Sequence, residues 1–210
     1  MTSLPTLIIL AEPSALGTGL PTVQPASSHP TPLDLFNTLD HALRRGLASG
    51  LPLRLVASPA LAHQARQLLP ATDVIELEGA TPTSSAADCM ARAVANAVAS
   101  SAQTPGWLLL PADMPMLQID TLRMVAQAVA KYTVVFPQYR YSRGHPVGFS
   151  SELYSELIRL DNERDLARLT ARYPAMGIDV NDPGILMPQS APHGLGHLRV
   201  PLQEAPALRR

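Results

Sequence analysis

The chain has 210 residues, enough for one domain with a full buried core, and its formal net charge at pH 7 is −1. A balance this close to neutral gives no electrostatic reason to expect nucleic acid or an anionic membrane surface as a partner. The single cysteine, Cys89, excludes an internal disulfide and a metal cage of cysteines alone, and we expect it to be a small core residue. No apolar run approaches the roughly 20 residues that span a bilayer. The start of the chain lacks a basic secretory signal, so we expect a cytoplasmic protein.

Short apolar segments of strand length alternate along the chain with segments of helical period. Predicted strands lie at 4–10, 53–57, 73–77, 107–110, 132–136 and 178–180. Predicted helices lie at 32–50, 59–69, 84–100, 120–131, 151–160 and 163–172, and Asp120 is the predicted cap of the fourth. This alternation predicts an α/β fold, with right-handed crossovers that place helices on both faces of a mostly parallel sheet in a three-layer α/β/α sandwich.

Two stretches show neither period. Residues 13–31 are rich in Pro, Ser, Thr and Gly, which indicates either a functional loop or a partly disordered one. The end of the chain is rich in Pro and Gly. We therefore predict a single domain over residues 1–187 and an irregular tail over 188–210.

The first chemical signal is Leu-Leu-Leu-Pro-Ala-Asp-Met-Pro at residues 108–115. A buried strand that ends in an acidic residue between two prolines puts Asp113 at the edge of the sheet where ligands bind, on a stiff backbone. Mg²⁺ takes one or two such carboxylates from a protein, because it keeps most of its waters. Asp113 could equally cap a turn or the next helix, and the pattern alone leaves both roles open.

The second signal is Tyr-Ser-Arg-Gly-His-Pro-Val-Gly-Phe at residues 141–149. It combines the cation Arg143, Gly144 for close backbone approach, and the imidazole of His145 held before Pro146. Arg143 and His145 suit a phosphate or an acceptor group. An ordinary polar turn that leads into an apolar strand accounts for the same residues.

The third signal is Ile-Asp-Val-Asn-Asp-Pro-Gly at residues 178–184, where acidic and amide side chains gather at a strand end. Their oxygens suit a metal or ribose hydroxyls. Asn-Asp-Pro-Gly is also a common turn sequence, so a structural role stays open.

In this order and separation the three motifs resemble the MobA-like nucleotidyltransferases, which join CMP or GMP to molybdopterin, and the likeness is nearest to the cytidylyltransferase branch. It covers residues 107–186, with weaker correspondence back to Leu4. The resemblance implies a fold like that of the nucleotide-diphospho-sugar transferases. It also implies Mg²⁺ as cofactor, and attack by a phosphate of molybdopterin on the α-phosphorus of CTP or GTP with release of pyrophosphate. A molybdenum enzyme or its maturation factor would be a protein partner.

The resemblance also implies roles for particular residues. Asp113 would be the catalytic residue that holds Mg²⁺, with Asp182 as a second metal ligand. The acceptor substrate would be bound by Arg143, Gly144, His145 and Pro146. The nucleotide would be bound by the stretch that corresponds to the family's glycine-rich loop, at Leu10, Ala11 and Gly19.

That glycine-rich loop is degenerate in this chain. Glu12 and Pro13 replace small residues whose backbone N–H groups would face phosphate, and the first basic residue of the chain is Arg44. Three hypotheses follow. The chain is an active nucleotidyltransferase that binds phosphate through later arginines such as Arg140 or Arg143, an inactive descendant that binds a pterin or a partner enzyme, or an unrelated α/β enzyme.

Overall fold

Eight strands and six helices make up the part of the chain that the structure, a computed structural model, describes: residues 3–11, 32–77 and 85–186. The strands are β1 Thr6–Ala11, β2 Leu53–Ala57, β3 Val74–Glu76, β4 Gly106–Pro111, β5 Val134–Tyr139, β6 Ser142–Arg143, β7 Val147–Ser150 and β8 Ala175–Asp179. The helices are α1 Pro32–Ser49, α2 Pro59–Ala65, α3 Ala86–Ala99, α4 Ile119–Val129, α5 Tyr154–Leu157 and α6 Glu163–Arg172. Short 3₁₀ turns lie at Ala71–Asp73, Ser151–Leu153 and Pro183–Leu186. The predicted loop at 13–31 and the predicted tail at 188–210 fall outside the described residues.

One mixed sheet runs through the molecule in the order β3–β2–β1–β4–β7–β5–β6, with β8 paired to β5. The first four strands of this order are parallel to one another, and β8 is parallel to β5. Only β6 and β7 run against the strands beside them. The predicted three-layer sandwich with a mostly parallel sheet is therefore confirmed. The sequence did not predict the reversed direction of β7, because a short apolar strand has the same pattern in either direction.

The sheet divides the hydrophobic core into two clusters, one on each face. Leu7 and Ile9 of β1 belong to the cluster that α1 and α4 cover, whereas Ile8 and Leu10 belong to the cluster that α3, α5 and α6 cover. Side chains of a strand alternate between its faces, and both faces are buried here, so β1 is apolar at every position after Thr6. Cys89 of α3 is buried, as predicted. Within the described ranges, no helix combines the length and the apolar character needed to cross a membrane.

Local capping chemistry sets where helices begin. Ser85 starts α3 with a capping box: its side chain accepts a hydrogen bond from the backbone N–H of Asp88, whose carboxylate accepts one from the backbone N–H of Ser85. The prediction that Asp120 caps α4 is wrong. Gln118 occupies that position, and Asp120 lies in the first turn, where a carboxylate interacts favourably with the positive end of the helix dipole.

Several predicted elements differ in extent. The predicted helix at 59–69 ends at Ala65, and the predicted strand at 178–180 begins at Ala175 and ends at Asp179. The predicted helix at 151–160 is a 3₁₀ turn followed by the single helical turn of α5. The predicted strand at 132–136 begins later and continues to Tyr139, where it forms a hairpin with β6. The extra length carries β5 to the edge of the sheet at which the parallel strands end.

Candidate functional site

Asp113 lies in the loop after β4, at the carboxyl edge of the sheet. The backbone N–H of Ala112 donates to the carbonyl of Leu10 at 2.9 Å, which extends the pairing of β1 and β4 by one residue. Asp113 follows directly and is half-buried, and then Met114 and Leu117 pack into the core beneath α1 and α4. The loop is therefore anchored on both sides of Asp113, which it holds where open α/β sheets bind ligands.

Residues 143–146 reach the same edge because β7 runs antiparallel to β4 and β5. A strand of opposite direction begins where its neighbours end, so the segment before β7 arrives beside the end of β4. The backbone N–H of Gly144 donates to the carbonyl of Pro137 at 3.0 Å, and that of His145 donates to the carbonyl of Ile185 at 3.1 Å. These bonds fix the segment between β5 and the turn that follows β8.

The turn Pro183–Leu186 packs against both the segment that contains Gly144 and the loop after β4, and a glycine lies at each contact. A Cβ atom on Gly144 would lie 2.2 Å from the carbonyl oxygen of Ile185, and a Cβ atom on Gly184 would lie 2.4 Å from the carbonyl oxygen of Met116. Neither contact tolerates a side chain, because the obstructing atoms are backbone. The three motifs, far apart in the sequence, are thus packed against one another.

Asp182 fixes this turn to the start of α4. One carboxylate oxygen accepts hydrogen bonds from the Gln118 backbone N–H at 2.8 Å and the Thr121 hydroxyl at 2.7 Å, and the other accepts from the Gly184 backbone N–H at 2.9 Å. The residue is only 2% exposed. With both oxygens bonded to protein donors, Asp182 positions the Asp113 loop, and this geometry argues against its predicted role as a metal ligand.

The predicted nucleotide-binding residues divide between the core and the undescribed part of the chain. Leu10 and Ala11 are buried, in the clusters on opposite faces of the sheet. Their side chains are therefore core residues, which leaves only their backbone for contact with a nucleotide. Gly19 lies outside the described residues.

A small cavity lies behind the end of β4, on the face covered by α3 and α6. Its volume is about 10 Å³, which accommodates about one water molecule and no nucleotide. The residues that line it include Leu10, Pro111, His145, Phe149 and Thr170. The cavity places His145 beside the residues that precede Asp113, in agreement with the grouping of the two motifs.

The two arginines considered for phosphate binding both lie against aromatic rings. The Arg140 Cζ atom is 5.2 Å from the ring centroid of Tyr139, and the Arg143 Cζ atom is 5.6 Å from that of Phe136. A guanidinium at this distance gains a cation–π attraction. Arg140 is exposed and Arg143 is half-buried, so Arg140 is the more accessible cation.

Arg45 supports the site although no sequence pattern drew attention to it. Its guanidinium donates from α1 to the carbonyl of Leu117, and Arg123 of α4 donates to the carbonyl of Ser49 at 3.2 Å. These bonds tie the end of α1 to the Asp113 loop and to α4. An arginine on a helix is usually solvated, so its sequence position gives no signal of this contact.

Residues 32–176 match the family of the MobA-like NTP transferase domain. The chain belongs to this family. The MobA-like NTP transferase domain makes it a nucleotidyltransferase-like protein, and the resemblance inferred from the motifs is confirmed. The matched range includes Asp113 and residues 143–146, and it ends before Asp182.

Solved structures share the fold of this MobA-like NTP transferase domain at low sequence identity. Rv0371c from Mycobacterium tuberculosis is 22% identical, with a TM-score of 0.61 over 86% of this chain and 89% of that chain. The 4-diphosphocytidyl-2C-methyl-D-erythritol synthase from Anaerococcus prevotii is 11% identical, with a TM-score of 0.59 over 93% and 95% of the two chains. These likenesses establish the fold, which is that of nucleotide-diphospho-sugar transferases as predicted. No protein of curated function matches the chain.

Proposed function

We propose that the chain is a Mg²⁺-dependent nucleotidyltransferase that transfers CMP or GMP from a nucleoside triphosphate to molybdopterin, in the cytoplasm. The observation that carries the proposal is the packing of three motif segments around Asp113 at one edge of the sheet. Family membership supports the class of reaction, and the motif resemblance supports the acceptor. A molybdenum enzyme or its maturation factor is the proposed protein partner.

Asp113 fits a metal that the protein shares with nucleotide phosphates. Within the described ranges no three His, Cys, Asp or Glu side chains come close enough together to hold an ion. Mg²⁺ needs no such cage, because one or two carboxylates, phosphate oxygens and waters complete its coordination. The ion would neutralise charge on the phosphates of the bound nucleotide. A structure of Rv0371c contains manganese, which supports a test of Mn²⁺ beside Mg²⁺.

The remaining site residues would act by binding and orientation. Residues 143–146 are proposed to bind the acceptor, since their backbone is fixed against β5 and the turn after β8. The backbone of Leu10 and Ala11 is proposed to approach the nucleotide across the end of β1. Asp182 would keep the Asp113 loop in place through the hydrogen bonds that it accepts from the start of α4. Positioning of this kind supplies much of the rate in phosphoryl transfer.

A second candidate function is an inactive descendant of this scaffold that binds a pterin or a partner enzyme. The observation that favours it is the scarcity of positive charge for a triphosphate: the first basic residue of the chain is Arg44. Arg140 and Arg143 already lie against the rings of Tyr139 and Phe136. Binding a triphosphate would require at least one of these guanidinium groups to reach the phosphates as well.

The test is release of pyrophosphate from CTP or GTP in the presence of molybdopterin and either Mg²⁺ or Mn²⁺. We expect Asp113→Ala to lower the rate about 100-fold or more, because it removes charge stabilisation at the phosphates. Asp113→Asn has the same expected effect, since an amide keeps the shape but loses the charge. Asp120→Asn is the matched control, because it changes an exposed carboxylate in the first turn of α4. It should leave the rate unchanged.

Calorimetric titration separates the two candidate functions. Binding of CTP or GTP by the wild-type protein, together with pyrophosphate release that depends on Asp113, supports the transferase. Binding of a pterin without binding of either nucleotide, even at millimolar concentration, supports the inactive alternative and rejects the transferase. Pyrophosphate release that survives Asp113→Ala would show that the carboxylate was assigned the wrong role.

A further inference from the structure

The tip of the hairpin between β5 and β6 has a sequence that its backbone conformation disfavours. The strands pair up to Tyr139 and Ser142, which leaves Arg140 and Tyr141 as the two central residues of the turn. Both have positive φ, 48° and 68°. A two-residue hairpin turn with this pattern is of type I′, for which Asn-Gly is the favoured sequence. Residues with bulky side chains are strained there, and such strain concentrates at functional sites.

The side chains at this tip add little to the stability of the fold. Tyr141 is 93% exposed, so its ring buries almost none of its apolar surface among the described residues. Arg140 is exposed as well, with its guanidinium over the ring of Tyr139. Neither core packing nor turn geometry therefore accounts for an arginine and a tyrosine at these positions. Binding of a ligand or a partner accounts for them directly.

The register of the sheet brings the base of the hairpin level with the loop that carries Asp113. Strands β4 and β5 flank β7, and both pair with its residue Gly148. Gly148 pairs with Leu108 of β4 and with Val135 of β5. Ala112 and Tyr139 each follow these residues by four positions, so they lie at the same distance along the strand direction from Gly148. Neighbouring strands are about 4.8 Å apart, which sets the two chains about 10 Å apart at this edge. A ligand with a phosphate at Asp113 and a fused ring system next to it would reach across this separation.

The base of the hairpin is held firmly from both sides. The backbone N–H of Gly144 donates to the carbonyl of Pro137, and the backbone N–H of Val180 donates to the carbonyl of Gln138 at 2.9 Å. The strand that leads into the tip is thus fixed by backbone hydrogen bonds on both of its edges. An aromatic side chain on a pre-organised turn loses little conformational entropy on binding.

We propose that Tyr141 stacks on the planar heteroaromatic ring of the acceptor substrate, whose phosphate lies at the Asp113 end of the site, and that the adjacent Arg140 attracts its negative charge. This inference rests on the proposed function and assigns the specificity of its acceptor side. An exposed tyrosine next to an arginine is also typical of anchors in protein interfaces. The tip lies level with the Asp113 loop along the strand direction. This favours a small-molecule acceptor over a protein partner, because a protein anchor does not need to lie near Asp113.

The experiment measures the affinity of two probes for three forms of the full chain. A pterin monophosphate is titrated by its intrinsic fluorescence, which stacking on an aromatic ring quenches, and CTP is titrated by calorimetry. The forms are wild type, Tyr141→Phe, which keeps the ring, and Tyr141→Gly, which removes it. Glycine adopts a positive φ without strain, so Tyr141→Gly should also raise the midpoint of thermal unfolding. A loss of binding in that variant cannot then be attributed to damage to the fold.

We expect Tyr141→Phe to bind the pterin as the wild type does, and Tyr141→Gly to bind it about 10-fold more weakly with unchanged affinity for CTP. Undiminished pterin binding by Tyr141→Gly, or no pterin binding by the wild type, overturns the proposal. If the pterin pattern is as expected but no pyrophosphate is released, the transferase fails and the stacking role stands.

Discussion

Replacement of Asp182 by alanine tests whether a single buried carboxylate holds the three motif segments together. The side chain accepts three hydrogen bonds, from two backbone N–H groups and one hydroxyl, at 2.7 to 2.9 Å. Alanine would leave all three donors without this acceptor. We therefore expect the turn after β8 to loosen from α4 and from the loop that carries Asp113.

The size of the effect follows from the burial of those donors. A buried donor that loses its partner costs about 1–3 kcal/mol, and bonds to a charged acceptor lie at the upper end of this range. The Thr121 and Gly184 donors are buried and the Gln118 donor is partly buried, so we expect Asp182→Ala to lower the free energy of unfolding by about 3–5 kcal/mol. Asp182→Asn should lower it by about 1–2 kcal/mol, because an amide oxygen keeps part of the acceptor set.

The assay is urea unfolding followed by circular dichroism, with the slope and midpoint fitted for each variant. Asp120→Ala is the control, since that carboxylate is exposed and its change should cost less than about 1 kcal/mol. A loss of under about 1 kcal/mol for Asp182→Ala would refute the reasoning. Equal losses for the alanine and asparagine variants would refute the account of the hydrogen bonds.

Two further predictions concern other contacts. Gly184→Ala should lower the free energy of unfolding by about 1–3 kcal/mol in the same assay, because its Cβ atom would meet the Met116 carbonyl oxygen at 2.4 Å. The change should also slow pyrophosphate release, whereas Gly50→Asn, at a positive φ with no atom near its Cβ position, should not. The hydrogen bond from the Tyr173 hydroxyl to the Glu156 carboxylate raises the pKa of Tyr173 above its usual value of 10.0. Its contribution to stability is present below about pH 10 and is lost as the pH rises through the raised folded-state pKa. Tyr173→Phe should remove that decline in urea midpoints, and the same decline in both proteins would contradict this assignment.

The layered fold could be predicted from the sequence because its signals are local. Strand β1 is an apolar run since both of its faces are covered, and helix α3 begins at a serine followed three residues later by an aspartate. The position of Asp113 at the edge of the sheet follows from the strand that precedes it. These features depend on the period and chemistry of a few neighbouring residues.

The features that the sequence left undetermined depend on residues far apart in the chain. The Asn-Asp-Pro-Gly motif does not reveal that Asp182 meets the N–H of Gln118 and the hydroxyl of Thr121, because those donors belong to another element. The direction of β7 is set by pairing with β4 and β5 rather than by its own residues. Arg140 and Tyr141 gave no turn signal, since the conformation they adopt favours other residues.

The position of β1 between β2 and β4 has a consequence for how the chain folds. Leu7 pairs with Leu53 on one side and with Leu108 on the other, so its second neighbour is synthesised only after half of the chain. Pairing across such a separation is slow, and an apolar strand with an open edge invites association with other chains meanwhile. We therefore expect the yield of folded protein to respond to growth temperature and to chaperone supply.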